Sequence, residues 1–350
     1  MKLRIFSIIT LLALLLTTFA SCRLKVTDEE TTTQAPNDNG TPAPVDVRVY
    51  ALNGTTGFGM AKMISDAKNG VFTTENYTFT VQTDASLINS ALINGDVDIA
   101  ALPTNAASVV FNKTNGGIKI LAVNTLGCLY LLVKEGTTVS SINDLKGKTV
   151  YTPAQNPMMI FKSICEKNGL TVGTGANQVN IDATSYAAPA DLRTAVAGGA
   201  VDIAVLPEPM VTMAISGAKQ ANFTYTNAMD LTAEWDQVHP AGSLVQGCVV
   251  VRTEFLEKNP AAVANFLAAY KASIEYLNAN AKEASQLIVD ANIFANAAVA
   301  EKAIPKCNVC YLTGADMKAA MEVYLGVLLE IDPTKIGGKL PTDEFYYLAQ

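Results

Sequence analysis

A nine-residue pattern occurs twice in this chain. Residues 95–103 read GDVDIAALP and residues 199–207 read GAVDIAVLP, so Asp98 and Asp202 hold the same place 104 residues apart. That spacing exceeds the roughly 20–50 residues of a solenoid repeat. Each copy follows a helical stretch (86–94 and 190–198) and precedes another (Thr104–Asn112 and Glu208–Gly217), and a strand then follows at 118–123 and at 222–226. The physics of one copy is local. Gly95 or Gly199 ends the first helix in a left-handed cap, which a Cβ would disfavour. Val-Asp-Ile-Ala is apolar enough for a buried strand. Pro then stops the strand, and its fixed φ suits the first turn of the next helix. Doubling this unit predicts two α/β lobes.

The same rhythm runs through the rest of the chain. Strands are expected at 46–52, 77–82, 147–151 and 178–182. The turn Asn53-Gly54-Thr55-Thr56-Gly57 opens a helix to Ala67, and Thr152 to Pro157 opens another to Asn168. Segments 128–134 and 244–252 read as strand-like connections, with hinges around Val133–Thr138 and Leu244–Cys248. Helices follow at 260–279, 281–292, 297–304 and 313–331. Val263, Phe266, Leu267, Tyr270, Ile274 and Leu277 recur there at helical spacing, and these helices are expected to cover the first lobe. Lobe 1 is thus expected to be 45–135 with 245–350, and lobe 2 to be 136–244.

The beginning of the chain has a different composition. Lys2 and Arg4 precede an uncharged apolar run at 5–20, and Phe19-Ala20-Ser21 leads into Cys22. The run is shorter than the about 20 residues of a membrane span. It reads as an export signal over 1–21. Cys22 resembles the lipid-accepting cysteine of bacterial lipoproteins. The resemblance implies a protein anchored by lipid to the outer face of the cell membrane or in the periplasm. Residues 23–44 hold almost no large apolar side chain, so 22–44 reads as a flexible tether.

The formal charge is −7, and −9 once Lys2 and Arg4 leave with the signal. Such acidity argues against nucleic acid as a partner. Five cysteines remain after Cys22: Cys128, Cys165, Cys248, Cys307 and Cys310. An odd count is a poor disulfide framework. Cys307-x-x-Cys310 reads first as a local disulfide or free thiols; a metal site would want more ligands, and His239 is the only histidine. No Walker sequence, Gly-x-Ser-x-Gly or His-Glu-x-x-His occurs, and no cofactor, metal or catalytic residue is expected.

With the lipoprotein start, the doubled α/β unit and the returning helices, the chain resembles the substrate-binding proteins of ABC importers, the two-lobed type II periplasmic binding proteins. LPEP at 206–209 and VSSINDLKGKTVYTP at 139–153 resemble the branch that takes nitrate, sulfonates, taurine or thiamine-pyrimidine precursors. The resemblance implies a monomer that hands a small molecule to a membrane permease with its ATPase. Two alternatives reuse the fold: an enzyme, like a pyrimidine synthase or menaquinone-route enzymes, or a receptor without transport.

In open α/β sheets ligands bind at the carboxyl ends of strands, near helix N-termini. That rule selects Asn53, Thr55, Thr56, Thr83, Thr104, Asn105 and Asn124 from lobe 1, with Gly54, Asp84 and Thr125 beside them. From lobe 2 it selects Thr152, Gln155, Asn156, Tyr186 and Glu208, with Asn227. Hydroxyls and amides both donate and accept, which suits orienting a polar molecule. Thr55, Thr104 and Thr152 equally fit helix caps, and Glu208 fits the first turn of a helix. Arg and Lys are scarce in this set, and Asp84 and Glu208 would repel an anion. A neutral or cationic ligand, such as a heteroaromatic one, is expected.

Overall fold

The computed structural model describes residues 43–348; the expected export signal, Cys22 and nearly all of the expected tether lie outside them. Lobe 1 begins with β1 (Val45–Leu52), α1 (Thr55–Phe58), α2 (Ala61–Lys68), β2 (Glu75–Gln82), α3 (Ala85–Asn94), β3 (Ile99–Pro103), α4 (Thr104–Thr114) and β4 (Ile118–Thr125). Then come β5 (Leu129–Lys134), β6 (Thr149–Tyr151), α5 (Asn156–Lys167), β7 (Asn180–Asp182), α6 (Pro189–Ala197), β8 (Ile203–Pro207), α7 (Met210–Gln220), β9 (Tyr225–Asp230) and α8 (Leu231–Val238). The chain returns through β10 (Gly247–Arg252), α9 (Thr253–Lys258), α10 (Pro260–Ala279), α11 (Ala281–Asp290), α12 (Ala297–Ala303), β11 (Val309–Leu312) and α13 (Gly314–Ile331).

The two sheets share one strand order. The first runs β2-β1-β3-β10-β4 with β11 at its edge, and the second runs β7-β6-β8-β5-β9. In each, the second, first and third strands of the lobe pair in parallel. A strand arriving from the other lobe, β10 or β5, then inserts antiparallel to both neighbours. The repeated motif supplies β3 and β8, the third strand of each sheet. Gly95 closes α3 at φ +82°, and Gly199, one residue beyond the cap of α6, stands at +69°.

Several expectations need correcting. The segment 128–134 is not a connection out of the first half. As β5 it pairs along its length with β8 and β9, inside the second sheet. Its unbroken apolar run suits a strand covered on both faces. The chain therefore leaves the first sheet at Leu126–Cys128, ahead of the hinge and lobe boundary expected at 133–138. It comes back through His239–Gln246. Helix α7 starts two residues later than expected, because the residue before a proline is disfavoured in the helical region and Glu208 precedes Pro209. Cys310 lies on β11, an unforeseen strand, and Cys128, Cys165, Cys248, Cys307 and Cys310 are free thiols.

The core explains where the last helices go. Helices α10, α11 and α12 cover the first sheet, burying Phe266, Tyr270, Ile274 and Ile288 against Val47, Val49 and Leu121. Helix α13 does not join them. Met317, Met321, Tyr324, Leu325 and Leu328 enter a cluster that holds Val123 of the first sheet, Leu131 of the second, Ile160 of α5 and Trp235 of α8. The final long helix thus packs on both lobes.

Candidate functional site

The carboxyl ends of β1, β3 and β8 meet between the lobes. After Leu52 the backbone turns through Gly54 at φ +80°, a conformation that favours glycine, and Gly54 N–H donates to the Ile293 carbonyl at 3.1 Å. A Cβ on Gly57 would overlap the Leu52 carbonyl oxygen. This tight turn places Asn53, Thr55 and Thr56 at the cleft and draws in the α11–α12 loop with Phe294. The second lobe supplies Asn156, Pro189, Pro207, Glu208, Pro209 and Met210, and Pro103, Thr125, Cys128 and Gln246 complete a cleft of about 430 Å³. The last residue of both repeats, Pro103 and Pro207, is in this lining.

Two hydrogen bonds join the lobes across it. Buried Thr55 Oγ1 donates to the Glu208 carbonyl at 2.9 Å, and Asn156 Nδ2 donates to Asn105 Oδ1 at 2.7 Å. Gln246 ties the two crossings together: its Oε1 accepts from Cys128 N–H at 2.8 Å, and its N–H donates to the Thr125 carbonyl at 2.9 Å.

Glu208 dominates the electrostatics. Its side chain is fully buried, and its two oxygens accept from Thr212 Oγ1 at 2.9 Å and Thr212 N–H at 3.1 Å. Burial raises its pKa; the Thr212 bonds and the Lys306 ammonium oppose the rise. Burial, with Glu208 nearby, pushes the Cys128 thiol up to about 12. No Lys or Arg is among the lining residues.

The other expected residues have structural partners or lie elsewhere. Buried Thr104 Oγ1 donates to the Val245 carbonyl at 2.7 Å, holding the second crossing. Asn105 Nδ2 donates to the Lys335 carbonyl. Buried Asn124 donates to Tyr270 Oη and the Thr56 carbonyl. Thr152, just after β6, is buried, and its hydroxyl has no partner among the described residues. Thr83 and Gln155 are exposed and outside the lining, as is Asn227 on β9. Half-buried Tyr186 sets its ring edge-on to Tyr151, 5.6 Å between centroids. Asp84 caps α3, accepting from Ser86 N–H at 2.8 Å, and lies outside the lining.

Gln246, Phe294, Cys128, Pro189 and Met210 line the cleft unanticipated. Gln246 alone carried a signal, as the one polar side chain inside the run LVQGCVVVR. His239 lies outside the lining: its ring stacks on Trp235 at 3.9 Å, and Nε2 is 3.0 Å from Ser163 Oγ. Among the described residues no group of three or more His, Cys, Asp or Glu could hold a metal, and no helix is long and apolar enough to cross a membrane.

The family model described as NMT1/THI5 like matches residues 78–284, more than half of the chain. The chain belongs to the NMT1/THI5-like family. Solved structures agree on the fold. An ABC transporter structure from Parabacteroides distasonis, 22% identical, superimposes with a TM-score of 0.72 over 87% of this chain and 100% of that one. The periplasmic aliphatic sulphonate binding protein SsuA from Escherichia coli is 15% identical, with a TM-score of 0.64 over 84% and 96%. The ligand binding component of an ABC-type import system from Staphylococcus aureus, solved with zinc bound, is 14% identical, with a TM-score of 0.62 over 87% and 97%. No curated protein matches the chain.

Proposed function

We propose that this chain is the solute-binding component of an ABC importer, exported and held at the membrane by a lipid on Cys22. The observation that carries the reading is the pair of sheets with one strand order, whose repeated motifs end in prolines, Pro103 and Pro207, that line one interlobe cleft. A ligand touching both lobes would favour their closed arrangement, the lobes turning about Leu126–Cys128 and His239–Gln246. Closure would present the pair of lobes to a permease driven by its ATPase.

The lining also favours a ligand class. The lining holds no Lys or Arg, and its one carboxylate, Glu208, is paired only by the long contact to Lys306 from outside the lining, which suits a neutral or cationic molecule. Phe294, Met210 and four prolines would cover an apolar, for example heteroaromatic, body. An enzymatic reading finds less support: the sole histidine lies outside the lining, and the cleft thiol, raised to about 12, is a poor nucleophile at neutral pH.

Native mass spectrometry of the purified protein, followed by calorimetric titration of whatever it carries, tests the proposal. One small molecule bound per chain supports it. Tight binding of taurine or an alkanesulfonate, with no neutral or cationic ligand, would overturn the charge assignment. Failure of Cys22→Ser to release the protein from membranes would overturn the anchor.

A further inference from the structure

The turn Ile304–Cys307 belongs to lobe 1. It leads into β11 of the first sheet, and Ile304 and Cys307 are buried in the core under α10 and α11. Its polar groups nevertheless meet lobe 2. Tyr130 Oη, on β5, donates to the Lys306 carbonyl at 2.9 Å. Lys306 Nζ stands 3.9 Å from Glu208 Oε1, at the end of β8. Thr55 Oγ1, 3.7 Å from Cys307 Sγ, donates to the Glu208 carbonyl. Three side chains thus converge where the end of β8 and the middle of the second sheet approach lobe 1.

We infer that the Ile304–Cys307 turn is an interlobe latch that holds the two lobes together without ligand, with Lys306 as the tethered counter-ion of the Glu208 carboxylate. The charges fit these roles. A fully buried carboxylate without a compensating charge is costly. Lys306 is the only cation paired with Glu208 among the described residues; the other groups beside the carboxylate are Thr212, the Tyr130 phenol and the Cys128 and Cys307 thiols, and burial keeps the phenol and both thiols protonated. The Lys306 side chain is half-exposed, and its ammonium is well hydrated on a flexible stem. An ion pair that long and wet is weak, so it can open repeatedly, as a moving element requires. The Tyr130 bond supplies the direction, since it fixes the backbone of the turn and not merely a side chain.

The Glu208 end of the latch lies in the proposed solute site, but neither readout below uses a ligand, so the latch and the solute-binding reading fail separately. Small-angle scattering of the full-length protein without ligand compares wild type, Tyr130→Phe, Lys306→Gln and the double variant. The wild type is expected to scatter as the compact two-lobed structure, and each variant to raise the open population several-fold, the double variant most. Tyr130→Phe removes one oxygen, so the fold survives it. In parallel, infrared difference spectra against Glu208→Gln follow the Glu208 carboxyl, whose titration midpoint should rise in Lys306→Gln. An open wild type, or unchanged scattering in the double variant, would overturn the latch. An unchanged midpoint would overturn the counter-ion.

Discussion

The two most informative titrating side chains, Glu208 and His239, are shifted by burial in opposite senses. Burial holds the proton of Glu208 more tightly in the folded chain than in the unfolded one. Its contribution to stability is therefore present below the ordinary carboxylate range and is lost as pH rises from that range to the raised value. Thermal melts from acid to neutral pH should show the wild type losing ground to Glu208→Gln as pH rises; a constant difference would contradict the shift. His239 runs the other way. Burial first, then the Lys167 charge, lowers its pKa, against an opposing pull from Glu330. Its contribution is present above the unfolded value of about 6.5 and is lost as pH falls through it toward the lowered folded value. The only tryptophan stacks on this only histidine, so fluorescence reads the ring directly. Quenching is expected on acidification with a midpoint below about 6.5, and a flat profile in His239→Gln.

At the scale of elements, the sequence was readable wherever one local rule governed. The repeat displayed its cap glycine, buried strand and stopping proline, and β3 and β8 stand where those residues put them. The turn at 53–57 was equally plain from Asn53-Gly54. What sequence could not show was pairing partners. An apolar run such as β5 looks the same as a connection or as a sheet centre, because its hydrogen bonds go to β8 and β9, about 70 to 100 residues away. Cleft residues such as Phe294 arrive on loops placed by distant packing, and Asp84, whose place after a strand suggests a cleft charge, caps α3 outside the lining. Gln246 falls between the two cases: polar inside an apolar run, its task is visible only once the two crossings lie side by side. Gln246→Ala would leave the Cys128 N–H unpartnered beneath the cleft, costing about 1–3 kcal/mol. Gln246→Glu keeps an acceptor there. Chemical denaturation should separate the two, with the alanine variant the less stable.

For the whole molecule, the decisive packing is that of α13. Two lobes joined by two short crossings invite independent unfolding, and inter-domain contacts within a chain are commonly modest. Here one helix closes a core fed from both sheets: Leu325 and Leu328 share it with Val123 and Leu131, and Tyr324 sets its ring 6.1 Å from that of Trp235. Cutting Leu325 to alanine removes buried methyl groups from both lobes' packing at once, at about 2–5 kcal/mol. The expected calorimetric trace is one transition in wild type, displaced as a whole to lower temperature in Leu325→Ala, with hydrogen exchange accelerated in β4 and β5 together. Two separate transitions in the wild type, or faster exchange confined to one sheet, would mean that α13 belongs energetically to a single lobe.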